Sequence, residues 1–316
     1  MSQNIPALNL EDFDNHDIKK KIKFVKQIGE AYEEVGFVAI KNYGLNQKIE
    51  EKLYKEVENF FNLPLEKKLQ YEKPELNGQR GYISFGRETA KGHTKSDLKE
   101  FWHFGQNLEK NDPLIHEYEP NIICSELPDF NEIGRTVFNI LENTGIKILQ
   151  ALALHLKLDE NYFDKKVKGG NSILRAIHYP PIQSEPKGAV RAAAHGDINL
   201  ITILMGASAK GLEIQTRNGE WISVTALPDH VVVNIGDMLS RLTNDKLHSS
   251  IHQVINPPKE EWSKPRFSIP FFMHPRSEMS LNCLESCISK TNRKKYKDIT
   301  AGDFLNERIK ELGLKK

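Results

Sequence analysis

The chain has 316 residues, and 44 lysines and arginines against 43 aspartates and glutamates leave a formal net charge of +1. That balance offers no basic stripe to grip nucleic-acid phosphates, so no nucleic-acid partner is expected. There is no apolar run of about eighteen residues to span a bilayer, and the opening stretch MSQNIPALNLEDFDNH lacks the charged-then-apolar pattern of a secretion signal, so the expectation is a soluble, cytoplasmic protein without a membrane partner.

Residues 17–35, DIKKKIKFVKQIGEAYEEV, put Ile18, Ile22, Val25, Ile28, Tyr32 and Val35 at helical spacing among lysines and glutamates. This reads as an amphipathic surface helix whose charged side is solvated rather than membrane-bound. GFVAIKNYG follows as a short strand, and NQKIEEKLYKEVENFFNLPLEKKLQ as a helix broken at Pro64, because proline removes an amide donor and clashes with the preceding turn. From about 80 to 125 the period is lost, which predicts irregular chain wrapping a core and shaping a site mouth. Within it Arg87, Lys91, Lys99 and His103 are candidates for holding an anionic group, weighed against plain solvated loop charge. A long helix then carries Ile133, Val137, Leu141, Ile148, Leu152 and Leu156 on one stripe, as a scaffold for a sheet.

After residue 170 come eight short β-type runs: SILRAIHY, AVRAAAH, NLITILM, GLEIQ, EWISV, HVVVNIG, HSSIHQVI and RFSIPFF. With turn signals between them and no intervening helix, they predict a double-sheet jelly roll or barrel. Asn218-Gly219 predicts a two-residue hairpin loop in which both residues take positive φ. DITAGDFLNERIKELGL closes the chain as a helix capped by Thr300. Cys124, Cys283 and Cys287 are too few and odd in number for a disulfide framework; they read as ordinary packing or surface thiols in a reducing compartment rather than metal ligands.

The chemistry gathers in AAAHGDINLITIL. His195 and Asp197 lie two apart on what reads as a strand, so both side chains face one point. Two imidazoles and a carboxylate on one face of a metal form the arrangement of non-haem Fe(II) oxygenases. The third ligand comes from His230, His248, His252 or His274; strand parity alone leaves His248 and His252 equivalent. Arg266 and Ser268 again lie two apart, offering a guanidinium fork and a hydroxyl to a carboxylate-bearing ligand.

These motifs together resemble the isopenicillin N synthase-like branch of the iron- and 2-oxoglutarate-dependent dioxygenases. HGD, SSIHQVINPP and RFSIPFF match the family's H-x-D, distal histidine and R-x-S segments, with NIGDMLSRLTND between them. GFVAIKNYGL resembles the family's N-terminal domain, and KKYKDITAGDFLNERIKELGL its bacterial members, so the similarity spans nearly the whole chain. The resemblance implies a mainly β fold with flanking helices around a double-stranded β-helix (jelly-roll) core. It divides the chain into an N-terminal mixed region (1–120), scaffold helices (121–168), the catalytic core (169–280) and a closing helix (281–316), packed as one compact unit. It also selects His252 as the distal ligand beside His195 and Asp197. Arg266 and Ser268 go to the far carboxylate of 2-oxoglutarate, and Tyr179 lies near that cosubstrate.

The sequence departs from the family pattern at Ile177, where asparagine is usual, at Pro181, and at Gly196, where threonine or serine is common; by parity residue 196 points away from the metal. The implied activity uses Fe(II), 2-oxoglutarate and dioxygen to oxidise a small molecule, most often by hydroxylation, with succinate and carbon dioxide formed. Two other readings are a 2-oxoglutarate-independent oxidative cyclase or oxidase and a non-catalytic jelly-roll binding module. The irregular region near 81–105, with Ile198 and Phe272, is expected to shape the substrate pocket.

Overall fold

The computed structural model describes residues 5–89, 95–109, 111–206, 210–216, 218–224, 227 and 229–311. In chain order its elements are β1 (Ala7–Asn9), α1 (Ile18–Glu34), β2 (Phe37–Lys41), α2 (Gln47–Phe61), α3 (Leu65–Leu69), β3 (Gly81–Ile83), β4 (Glu100–Gly105), α4 (Pro128–His155) and α5 (Asp164–Val167). There follow β5 (Ile173–Tyr179), β6 (Ala192–His195), β7 (Ile201–Met205), β8 (Leu212–Gln215), β9 (Trp221–Ser223), β10 (His230–Ile235), α6 (Asp237–Leu242), β11 (His252–Val254), β12 (Arg266–Met273) and α7 (Ala301–Glu311). Each of the eight β-type runs read after residue 170 contains one strand.

An eight-stranded sheet runs β1-β2-β10-β7-β12-β5-β4-β3, and a four-stranded sheet runs β6-β11-β8-β9. Alternation divides the large sheet's faces. Ile269, Phe271 and Met273 of β12 join Leu174, Ala176, Ile201, Ile203, Val231 and Val233 in a core shared with α4, whose Val137, Leu141, Ile148 and Leu152 are fully buried. Each such side chain contributes roughly 1.5–3 kcal/mol of burial energy. α4 can lie this close because Gly134 and Gly145 face the sheet: a Cβ would sit 2.4 Å from the Phe104 ring at Gly134 and 2.4 Å from Met273 Sδ at Gly145. The opposite parity (Arg266, Ser268, Phe272; Arg175, Tyr179; Thr202; Asn234) turns toward the small sheet.

Several expectations change. The buried face of α1 is Phe24, Ile28, Ala31 and Tyr32, while Ile18 and Ile22 are exposed. The segment 80–125 is not all irregular: β3 and β4 extend the large sheet, and every residue of β4 is buried. A helix, α6, does intervene between β10 and β11. The β8–β9 hairpin forms, and Gly219 takes positive φ. Its loop closes by Gly219 N donating to Thr216 O (2.9 Å) and Thr216 N to Glu220 O (2.8 Å), a longer connection than two residues. Thr300 caps α7 as expected, accepting from Asp303 N at 3.2 Å. All three cysteines are buried and unpaired.

Candidate metal centre and adjoining cavity

β6 and β11 run antiparallel with His252 directly opposite His195, and the two rings lie 4.5 Å apart. His195 Nδ1 is 2.7 Å from Ala193 O, and His252 Nδ1 is 3.3 Å from Ser250 O. A carbonyl only accepts, so each Nδ1 carries the proton and each Nε2 presents a lone pair. β6 ends at His195, so Asp197 converges from the turn beyond the strand rather than by strand parity. That turn is pinned by α6, whose Asp237 N donates to Asp197 O at 2.7 Å.

The Asp197 carboxylate is polarised in its commitments. Oδ2 accepts from Thr202 Oγ1 (2.6 Å) and Asn234 Nδ2 (2.7 Å), and Asn199 Nδ2 supports Thr202 at 3.0 Å. Oδ1 faces His252 Nε2 at 3.8 Å. One ligand atom each from His195, Asp197 and His252 falls within a 4.8 Å cluster. Burial, with the His252 ring beside it, pushes the His195 pKa down to about 4. Burial works against the Asp197 charge, but His252, His195 and the two donors outweigh it and hold the carboxyl below its usual range. Two imidazoles that turn Nε2 inward and one carboxylate oxygen, each with its other heteroatom already engaged, fit a divalent ion with open positions.

His248 is not on β11; its backbone N donates to Tyr32 O, and His230 stands across from Lys41 on β10. Neither joins the cluster. The tie between His248 and His252 rested on a longer strand than exists. A Cβ at Gly196 would meet Asp237 Oδ1 at 3.1 Å and Ser249 Oγ at 3.4 Å, away from the cluster.

Arg266 and Ser268 are buried on the inner face of β12, opposite Tyr179 and Ile177 of β5. The Arg266 guanidinium lies 5.0 Å from the Tyr179 ring. Ile177, standing where asparagine was anticipated, packs with Ile83, Phe101 and Tyr179 in an apolar cluster. Arg266, Ser268 and Tyr179 lie outside the lining of the 420 Å³ cavity that opens on His195 and Asp197.

That cavity is walled by Ile83, Phe101, Ile198, Phe272, His274 and the last turns of α7. Arg175 is held between aromatic rings, 4.2 Å from Phe101 and 5.1 Å from Phe272; its Nε donates to His103 Nε2 at 2.7 Å and its Nη1 lies 3.2 Å from Glu88. Lys99 Nζ is 2.7 Å from Glu88 and 2.8 Å from Asp97. Of the four candidates for anion binding, Lys99 is thus buried and already matched by carboxylates. His103 is buried, and burial reinforced by Arg175 holds it neutral. Arg87 is exposed near Glu72, and Lys91 lies outside the described residues. His274, considered as a ligand, lines the cavity instead, with Nδ1 buried and without a hydrogen-bond partner among the described residues.

Thr202 and Asn234 escaped the sequence reading. Their signal was a polar residue inside an apolar strand run, which demands a buried partner.

A family model described as the 2OG-Fe(II) oxygenase superfamily matches residues 170–275, and one described as non-haem dioxygenase in morphine synthesis N-terminal matches 5–126. The chain belongs to the 2OG-Fe(II) oxygenase superfamily. Proline hydroxylase buaE of Petromyces alliaceus is 30% identical, covering 96% of this chain and 98% of that protein. A 2OG-Fe(II) oxygenase family protein from Caulobacter crescentus shares the fold with TM-score 0.88 and 40% identity, over 98% of this chain and 99% of that one. A full-length Neurospora crassa protein, solved in complex with alpha-KG and thymine, gives TM-score 0.84 and 33% identity over 97% of this chain and 96% of that one. The superfamily member described here is an enzyme that uses Fe(II), 2-oxoglutarate and dioxygen to oxidise a small organic molecule. This kinship disfavours both a cosubstrate-independent oxidase and a non-catalytic module. Among the described residues no helix is long and apolar enough to cross a membrane.

Proposed function

We propose that the enzyme hydroxylates a compact, uncharged polar molecule, with Fe(II) held by His195 Nε2, His252 Nε2 and Asp197 Oδ1. The observation that carries this is the three-residue cluster in which every other ligand-side heteroatom is already hydrogen-bonded. When bound, iron with 2-oxoglutarate and dioxygen supplies oxidative decarboxylation to succinate and carbon dioxide, coupled to oxidation of a substrate C–H bond. Arg266 and Ser268, with Tyr179 beside them, take the far carboxylate of the cosubstrate; a buried guanidinium fork matches a carboxylate edge. Thr202 and Asn234 keep Asp197 charged and turned, and the apolar walls exclude bulk water.

The substrate's neutrality follows from charge matching on the wall. Lys99 answers to Glu88 and Asp97, Arg175 to Glu88, and Arg308 to Glu311 at 2.8 Å, so among the described lining residues an acid meets no spare lysine or arginine. The 420 Å³ volume suits a small ring, and the thymine bound in the Neurospora crassa protein supports that size class. The four segments of the chain act as one unit, and the buried free cysteines suit a reducing cytoplasm.

Incubation with Fe(II), ascorbate, 2-oxoglutarate and a panel of neutral heterocycles, thymine included, alongside acidic analogues tests the reading. Succinate release stimulated by neutral members is expected. Stimulation by acids alone would overturn the substrate class, and no succinate under any condition would overturn the activity.

A further inference from the structure

Arg191, the residue before β6, is 2% exposed, and its Nε is buried without a hydrogen-bond partner among the described residues. Its Nη2 donates to Lys264 O at 3.2 Å. Among the described residues no carboxylate comes within ion-pair distance of it. Glu261, the nearest acidic influence, lies on an exposed segment at 3.8 Å from Lys264. Removing a charge from water without an anionic partner costs several kcal/mol, so such a residue marks a place where an anion is received.

The location says which anion. The Arg191 guanidinium lies 5.9 Å from the Tyr179 ring, and the Arg266 guanidinium lies 5.0 Å from the same ring. Two buried guanidinium groups therefore lie near one phenol ring, and burial and Arg266 together depress the Arg191 pKa. A carboxylate received beside Tyr179 relieves Arg191. We infer that Arg191 is a second cationic anchor for the far carboxylate of 2-oxoglutarate, acting beside Tyr179 together with Arg266. This rests on the reading that Arg266 and Ser268 cradle that carboxylate. It also places the anchor on the chain segment that leads straight into His195, so cosubstrate binding and metal-ligand placement share one stretch of backbone.

The test uses full-length Fe(II)-loaded protein without oxygen, titrated by calorimetry with 2-oxoglutarate and, separately, with 2-oxobutanoate, which keeps the 2-oxo-acid head and lacks the far carboxylate. Loss of a charge-assisted bond predicts that Arg191→Gln weakens 2-oxoglutarate roughly 10- to 100-fold and leaves 2-oxobutanoate unchanged. Arg191→Lys, which keeps the charge and the aliphatic stem but not the fork, falls between wild type and the glutamine variant, and serves alone if that variant does not fold. Unchanged 2-oxoglutarate affinity in either folded variant, or equal losses for both acids, would overturn the inference. Failure of the underlying reading looks different: Arg266→Gln would then bind 2-oxoglutarate as wild type does.

Discussion

Asn234 and Asp197 stand 37 positions apart in the chain, and the amide of one donates to Oδ2 of the other at 2.7 Å. The bond ties β10 of the large sheet to the turn that follows β6 of the small one. With Thr202 on the same oxygen, it leaves Oδ1 as the atom that faces the histidines.

Removing either donor should loosen the metal without abolishing it. Asn234→Ala and Thr202→Val are each expected to weaken Fe(II) binding roughly 10- to 100-fold, the usual effect of losing a supporting bond to a ligand. Competition with a chelator measures this. Unchanged retention in both variants would mean that Asp197 needs no such support.

Direct ligand loss should be more severe. His195→Ala, Asp197→Ala and His252→Ala should each purify without stoichiometric iron, whereas His248→Ala should retain it. Metal content by atomic spectroscopy separates the two groups.

The wall's charge matching has its own consequence. Glu88 lies between Lys99 and Arg175, and although burial opposes its charge, the two cations hold its pKa far below normal. Glu88→Gln leaves buried positive charge uncompensated, a loss of about 3–5 kcal/mol of stability. The same variant should shift preference from neutral molecules toward acids. A thermal melt and a two-substrate competition read both effects.

His274 gives the apoprotein a pH signature. Burial pushes its pKa down to about 4, against an ordinary value near 6.5. Between those values the unfolded chain takes up a proton that the folded chain refuses, so stability falls as the pH drops from about 6.5 toward 4. The slope from this one group is at most about 1.4 kcal/mol per pH unit. His274→Asn should flatten the fall in melting temperature over that range in metal-free protein; an unaltered slope would remove His274 as its source.

Much of the core could be read from its residues because hydrophobic runs bounded by turn signals are local. The eight strands after residue 170 and the break at Pro64 are of this kind. β3 and β4 were not legible, since GYI and EFWHFG are buried on both faces and show no alternation between wet and dry sides. DMLSRL is too short to display a helical period, so α6 went unseen, although it pins the Asp197 turn. In α1 the apolar residues cover adjacent meridians, and only packing against α4 and the edge of the large sheet selects Phe24 and Ala31 over Ile18 and Ile22. The H-x-D pair was visible as a motif, but Asn234, Thr202 and Arg191 reach their partners through tertiary packing, which spacing does not encode.

The most direct measurement is anomalous diffraction at the iron absorption edge from crystals grown without oxygen in the presence of Fe(II). A single peak within bonding distance of His195 Nε2, His252 Nε2 and Asp197 Oδ1 is expected. A peak elsewhere, or one touching fewer than all three side chains, would contradict the assignment of this centre.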